Sequence, residues 1–195
     1  NGRLSSFSYD SENRAQSFSY EQQQHKVVLS YDPARKKTFV TNARGYRTEH
    51  RYGEIGGVRL VTARVDPTGR ITRTAWNTDR NRTSVTDPLG RTTRFAYDER
   101  GNLIRVENWG LSPQGTVPLV VTSFTYEPVL DRLTRVTDAQ GVRTEYRYDR
   151  RGNLLEVRTL KPSDFSVLTR VLFTYDSNGQ LLTATDPNGR ITRYS

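Results

Sequence analysis

The sequence predicts an all-β fold made of consecutive antiparallel β-hairpins. Turn-forming motifs recur along the whole chain, and the short segments between them alternate apolar and polar residues. No long stretch has the 3.6-residue apolar spacing of a helix. Only 33% of the residues are apolar and the mean hydropathy is −0.77, yet the chain holds 11 Tyr, 7 Phe and 2 Trp. This composition favours a thin, strand-rich body with a shallow buried face over disorder.

The first turn motif reads Asp-Pro-x-Gly-Arg. It occurs at residues 66–70, 87–91 and 186–190, and variants occur at 138–141 and 42–45. Asp or Asn at the first position accepts hydrogen bonds from the backbone that follows, Pro fixes φ, and Gly takes the left-handed conformation after a type I turn. Because a type I turn followed by a left-handed residue is a common hairpin loop, each copy is predicted to reverse the chain.

The second turn motif reads Tyr-Asp-x-x-Gly-Asn. It occurs at residues 97–102 and 148–153, a close copy occupies 175–180, and looser copies occupy 9–14 and 76–81. The same Asp and Gly chemistry predicts a second chain reversal at each copy. Strands of about 5–7 residues are therefore expected between successive motifs.

The predicted strands alternate as half-buried strands do. In the segment 142–148, Thr144, Tyr146 and Tyr148 share one face, and Arg and Glu alternate on the other. One sheet face is therefore predicted to be aromatic and aliphatic, and the opposite face to carry Arg, Glu and Thr.

The spacing of the motifs divides the chain. Residues 1–36 are predicted to form degenerate N-terminal hairpins, and residues 37–195 to form regular repeats of about 21 residues. Longer gaps near 54–57, 109–118 and 160–168 are expected to be loop insertions.

The motifs resemble a known family. The segments "YDERGNLIRVEN", "YDRRGNLLEVRT" and "DPLGRTTRFAYD" are similar to the rearrangement-hotspot (RHS) or YD-repeat family, and the resemblance degenerates before about residue 37. It implies a hairpin ribbon that spirals into a hollow β-shell, which in bacterial members encloses a C-terminal toxin before delivery. The chain lacks the family's terminal core segment. We therefore expect it to form shell wall alone, as a curved open strip.

The resemblance also implies partners and a location. The expected partners are a toxin cargo domain and the remaining RHS shell of a parent chain, in a larger bacterial protein that is secreted or lies on the cell surface. The alternative function is a cell-surface module for adhesion or carbohydrate binding. Open sheet edges predict self-association. No window approaches the ~18 apolar residues of a membrane span.

The residues predicted to define the fold are those of the turn motifs. They are Tyr97, Asp98, Gly101, Asn102, Tyr148, Asp149, Gly152, Asn153, Tyr175, Asp176, Gly179, Asp66, Gly69, Asp87, Gly90, Asp138, Gly141, Asp186 and Gly189. Trp109, in the insertion "NWGLSPQG", is the candidate for contact with a glycan because sugars stack on exposed aromatic rings.

The sequence predicts no enzyme activity. It contains no Cys, only His25 and His50 as histidines, and no catalytic motif. Most recurrent Asp residues are explained by turn chemistry, and "DSNGQ" and "DPNGR" lack the ligand series of a calcium loop. We therefore predict no catalytic residue, metal site or cofactor.

The positive charge does not by itself indicate a nucleic-acid partner. The net charge is +9, but Arg and Glu alternate along the predicted strands, as in "RTEYR". Cross-strand Arg–Glu pairs stabilise sheets, so the pattern is typical of a solvated sheet face, and nucleic-acid binding is not expected. An inner lining that suits an acidic cargo is the other interpretation of the excess charge.

Overall fold

The described chain is built from strands alone. The computed structural model describes residues 5–20, 26–112 and 115–194, and no helix occurs among them. The strands are β1 Ser5–Tyr9, β2 Ala15–Tyr20, β3 Val27–Asp32, β4 Lys37–Thr41, β5 Arg47–Ile55, β6 Val58–Val65, β7 Ile71–Trp76, β8 Arg82–Thr86, β9 Thr92–Tyr97, β10 Leu103–Ser112, β11 Gly115–Tyr126, β12 Leu133–Thr137, β13 Arg143–Tyr148, β14 Leu154–Leu160, β15 Val167–Tyr175, β16 Leu181–Thr185 and β17 Ile191–Arg193. The predicted all-β succession of hairpins is confirmed. A helix able to span a membrane is absent from these residues.

The strands fall into two units. The first unit spans residues 1–93 and the second spans 94–195, so β9 contributes residues to both. In the first unit, each strand from β1 to β8 pairs antiparallel with the next strand in sequence. In the second unit, the strands from β10 to β17 do the same. This order follows from the short turns, which can join only antiparallel neighbours.

The two sheet faces carry different side chains. In the second unit, Tyr146, Val157 and Val171 lie opposite one another on β13, β14 and β15. Glu145 and Arg158 pair one residue along on the same strands and so face the other way. Strand alternation therefore separates most charged side chains from the apolar face, as the sequence pattern indicates, although Leu160 lies opposite Arg143 on the charged side.

The buried core is very small. Among the described residues, Ala63 and Leu160 are the only buried apolar side chains, and none is fully enclosed. Glu156 is as buried as Leu160, with 5% of each residue exposed. Backbone pairing and side-chain hydrogen bonds therefore contribute an unusually large share of the stability.

The segments expected as insertions lie at the ends of three hairpins. The strands β5 and β6 continue to Ile55 and from Val58, and β10 and β11 continue to Ser112 and from Gly115. Between β14 and β15 the chain turns through a bond from the Lys161 N–H to the Ser166 carbonyl. In the first two hairpins the residues expected to form loops instead extend the paired strands. Strand pairing gives their backbone N–H and C=O groups hydrogen bonds that a loop would not provide.

Candidate functional site

Both sequence motifs build the same turn. The Asp98 N–H donates to the Asn102 carbonyl at 3.0 Å, and the Gly101 N–H donates to the Asp98 carbonyl at 3.1 Å. The Asp98 carboxylate Oδ1 accepts the backbone N–H groups of Arg100 and Asn102 at 3.0 and 2.8 Å. Asp138, in the other motif, has the same four bonds. The two motifs therefore differ in sequence but not in turn geometry.

This turn recurs through both units. The four-bond pattern starts at Asp10, Asn42, Asp66, Asp87, Asp98, Asp138, Asp149, Asp176 and Asp186. The left-handed position is held, with φ between 82° and 90°, by Gly69, Gly90, Gly101, Gly141, Gly152, Gly179 and Gly189. A side chain at this φ is strained, which explains why glycine fills the position.

The tyrosine of the second motif makes a contact that the sequence pattern did not reveal. The Tyr148 hydroxyl donates to the Leu133 carbonyl at 2.9 Å, and the Tyr175 hydroxyl donates to the Leu154 carbonyl at 2.9 Å. Leu133 lies opposite Tyr126, and Leu154 lies opposite Tyr148. Tyr148 therefore reaches back to the backbone opposite Tyr126, and Tyr175 reaches back to the backbone opposite Tyr148. We call these contacts the Tyr–carbonyl bonds.

The Tyr–carbonyl bonds occur in both units. Further examples join Tyr31 to Ala15 at 2.6 Å, the Trp76 indole N–H to Val61 at 2.9 Å and Tyr126 to Leu103 at 3.0 Å. The strand register shifts beside the motif, for example between Arg147 and Tyr148 and between Thr174 and Tyr175. Because a bulge interrupts the ladder of backbone bonds, a side-chain donor there supplies a bond that the ladder lacks.

Neighbouring turns in the second unit are also linked to each other. The Arg100 guanidinium pairs with Asp131 at 3.0 Å, and the Asn102 side-chain amide donates to the same carboxylate at 3.1 Å. The Arg151 guanidinium donates to the Ser177 carbonyl of the next turn. Arg100, Asn102 and Arg151 therefore link each turn to the neighbouring turn on the same edge of the sheet.

An Arg–Glu network covers the charged face of β12 to β15. Glu145 pairs with Arg135 at 3.0 Å and with Arg158 at 2.7 Å. Glu156, whose side chain is 7% exposed, pairs with Arg170 at 2.6 Å. Burial raises the pKa of Glu145, but hydrogen bonds and charges from Arg158 and Arg135 outweigh it and lower the pKa overall. These cations are neutralised within the sheet.

Trp109, the candidate glycan contact, is half-buried. The Arg94 guanidinium lies over its ring at 4.0 Å from the centroid, and its indole N–H donates to Glu107 at 2.7 Å. One ring face and the polar atom of Trp109 are therefore already engaged, and its role in glycan binding stays a prediction.

His50 is not part of a metal site in the described part of the chain. His50 is half-buried opposite Arg64, and burial together with the Arg64 charge lowers its pKa. His25 lies outside the described residues. Across residues 5–20, 26–112 and 115–194, no three His, Asp or Glu side chains are grouped as metal ligands.

Hairpins closed mostly by one kind of turn and joined by Tyr–carbonyl bonds define a β-hairpin repeat protein. The RHS Repeat family model matches residues 76–110, 129–161 and 175–195. Over these segments the chain matches the RHS-repeat family, which confirms the resemblance seen in the sequence.

The fold is similar to that of several solved toxin structures. The chain aligns with a crystal structure of TcdB2-TccC3-Cdc42 at 17% identity and a TM-score of 0.64, over 95% of this chain and 10% of that chain. It aligns equally with TcdB2-TccC3 without its hypervariable C-terminal region (18%, TM-score 0.63, 95% and 10%) and with a Photorhabdus luminescens Tc holotoxin pore (18%, 0.62, 95% and 10%). The chain thus spans about a tenth of their length, and the likeness shows the fold alone. No curated protein matches the sequence.

Replacing Asp149 by alanine is expected to lower the melting temperature by several degrees. The substitution removes the acceptor for the Arg151 and Asn153 backbone N–H groups, both at 2.9 Å. Asp149→Asn should cost clearly less, because Asn42 fills the same position and accepts the same bonds. Thermal unfolding followed by circular dichroism measures both variants. Equal losses for Ala and Asn would refute the role of the side-chain acceptor.

Acidification from pH 7 to pH 3 is expected to destabilise the fold. Burial raises the pKa of Asp149, but the hydrogen bonds that its carboxylate accepts lower it overall. A carboxylate whose folded pKa is depressed stabilises the fold above its unfolded pKa of about 4, and this contribution is lost as the pH falls through the folded pKa. Urea midpoints should therefore agree at pH 7 and 5 and drop at pH 3. An unchanged midpoint at pH 3 contradicts this prediction.

Proposed function

We propose that the chain is a wall segment of a hollow RHS shell that encloses a C-terminal toxin before delivery. The observation that carries the proposal is the repetition of one turn and one inter-repeat bond through both units. The fold likeness to TcdB2-TccC3 structures supports the same assignment. In this role the protein acts as a barrier and not as an enzyme.

The geometry suits containment. Paired strands lie about 4.8 Å apart, so a continuous ladder leaves no opening for a polypeptide. Register shifts next to Tyr148, Tyr175 and their equivalents add one extra residue to the returning strand at one end of each hairpin. Bulges increase local twist, and their repetition on one margin would curl a ribbon of hairpins.

The proposed partners are the toxin cargo and the rest of the shell, in a larger bacterial protein that is secreted or surface-located. Self-association through sheet edges is a further proposal, because the residues of β17 are all exposed. We do not propose adhesion or glycan binding as a second function, since the ring and N–H of Trp109 are engaged by Arg94 and Glu107.

Protease protection tests the proposal. In the polypeptide that contains this chain, a segment outside the repeats should survive limited trypsin digestion. Deletion of the hairpin of β13 and β14, residues 138–160, should open the wall and expose that segment to cleavage. Arg150→Gln, which removes an exposed charge without changing a hairpin, is the control. Equal digestion of the segment in all three proteins would refute enclosure.

A further inference from the structure

The first unit contains a cationic cavity that containment does not explain. It has a volume of about 200 Å³. It lies against the turn between β3 and β4 and is lined by Arg14, Tyr31, Pro33, Lys36, Lys37, Thr38, Tyr52 and Arg59. Four of these residues are cations and two are tyrosines, and no carboxylate is part of the lining.

Two of the four cations are already neutralised. Arg14 pairs with Asp10 at 2.8 Å and lies over the Tyr31 ring at 4.6 Å, and Lys37 pairs with Glu49 at 2.9 Å. These contacts fix the walls of the cavity and leave little charge there for a ligand.

The other two cations, Lys36 and Arg59, keep their charge available. Both side chains are exposed, and neither forms an ion pair with an acid in the described residues. Glu54 lies opposite Arg59 in the strand register but is not within ion-pair distance. The lining of the cavity therefore includes two positive charges that are unpaired within the described residues, together with the side chains of Tyr31 and Tyr52.

Lys36 occupies a strained position. Its φ is +54°, in the left-handed region that glycine fills in most other turns of the chain. The turn is held there by bonds from the Lys36 N–H to Pro33 and from the Tyr52 N–H to the Lys36 carbonyl. The turn therefore places the Lys36 ammonium group at a position where glycine would remove the backbone strain.

We propose that this cavity binds carboxylate side chains of an acidic polypeptide segment. Two uncompensated cations match one or two carboxylates, and about 200 Å³ accommodates side chains of that size. A nucleic-acid strand carries a phosphate every 3.4 Å and needs a row of cations, which this single point does not provide. The tyrosine rings pack against the methylene groups of Glu. This binding site is separate from the proposed enclosure of a toxin. It would bind an acidic segment of any polypeptide, including one that is not enclosed.

Fluorescence anisotropy with a labelled hexaglutamate peptide tests the site. In about 50 mM salt, where exposed charges are weakly screened, the full chain should bind the peptide and should not bind hexaglutamine. The double variant Lys36→Gln/Arg59→Gln should bind the peptide more weakly, with a Kd raised by about tenfold or more. Arg44→Gln/Arg70→Gln removes two exposed charges from other turns of the same unit and should change the Kd by less than about twofold.

A glycine substitution separates binding from folding. Lys36→Gly should weaken peptide binding while the melting temperature stays at or above that of the parent chain, because glycine adopts the φ of +54° without strain. Equal weakening by the two double variants, or unchanged binding by Lys36→Gly, overturns the proposal. Displacement of the peptide by equimolar phosphate or by hexaglucuronate overturns the polypeptide assignment. The two proposals fail separately. Loss of peptide binding with protease protection intact contradicts only this site, and loss of protease protection with peptide binding intact contradicts only the proposed function.

Discussion

Replacing both Tyr148 and Tyr175 by phenylalanine is expected to lower the free energy of unfolding by about 2–3 kcal/mol. Each substitution keeps the ring and removes one hydroxyl, which donates to Leu133 or Leu154 at 2.9 Å. The carbonyl left behind loses its bond in a half-buried position, at a cost of about 1–1.5 kcal/mol per site. Urea denaturation measures the loss.

Tyr146→Phe is the matched control for this pair. Tyr146 lies on the same strand as Tyr148 and is also half-buried, but its hydroxyl donates no hydrogen bond within the described residues. Its replacement should change the free energy of unfolding by less than about 0.5 kcal/mol. If Tyr146→Phe costs as much as Tyr148→Phe, the Tyr–carbonyl bonds do not stabilise the repeat.

Gly152→Val is expected to cost about 3 kcal/mol, the largest effect of any single substitution considered. Gly152 has a φ of +90°, which a β-branched residue strongly disfavours. The guanidinium of Arg132 also occupies the place of a Cβ at this position. Because that guanidinium lies 5.5 Å from the centroid of the Tyr148 ring, its displacement costs a further contact.

Gly90→Val separates the two causes of this loss. Gly90 has a similar φ of +84°, but open space surrounds the place of its Cβ. Its replacement should therefore cost about 2 kcal/mol, from backbone strain alone. Chemical denaturation of both variants gives the comparison. Equal losses would show that Arg132 adds nothing at Gly152, and a negligible loss at Gly90 would refute the strain argument.

The turns and the strand faces could be predicted because their causes are local. Asp98, Gly101 and their equivalents act within five residues of sequence, so the motif alone specifies the reversal. The alternation of Glu145 and Tyr146 likewise needs only the two-residue period of a strand.

The contacts between repeats could not be predicted, because they depend on register. The Tyr148 ring position follows from the sequence pattern, but its acceptor at Leu133 is set by the bulge beside Tyr126. The link from Arg151 to Ser177 also needs two turns to be in a row. The contact of the Arg94 guanidinium with the Trp109 ring joins residues of two different strands, so the sequence alone could not predict it either.

The direction of the Tyr–carbonyl bonds has a consequence for how the protein is made. In every described case the donor follows its acceptor in sequence, as Tyr175 follows Leu154 and Tyr148 follows Leu133. When a ribosome releases a new hairpin, the carbonyl that fastens it has already emerged. The sheet can therefore extend during translation, because each new hairpin bonds to strands that have already been synthesised.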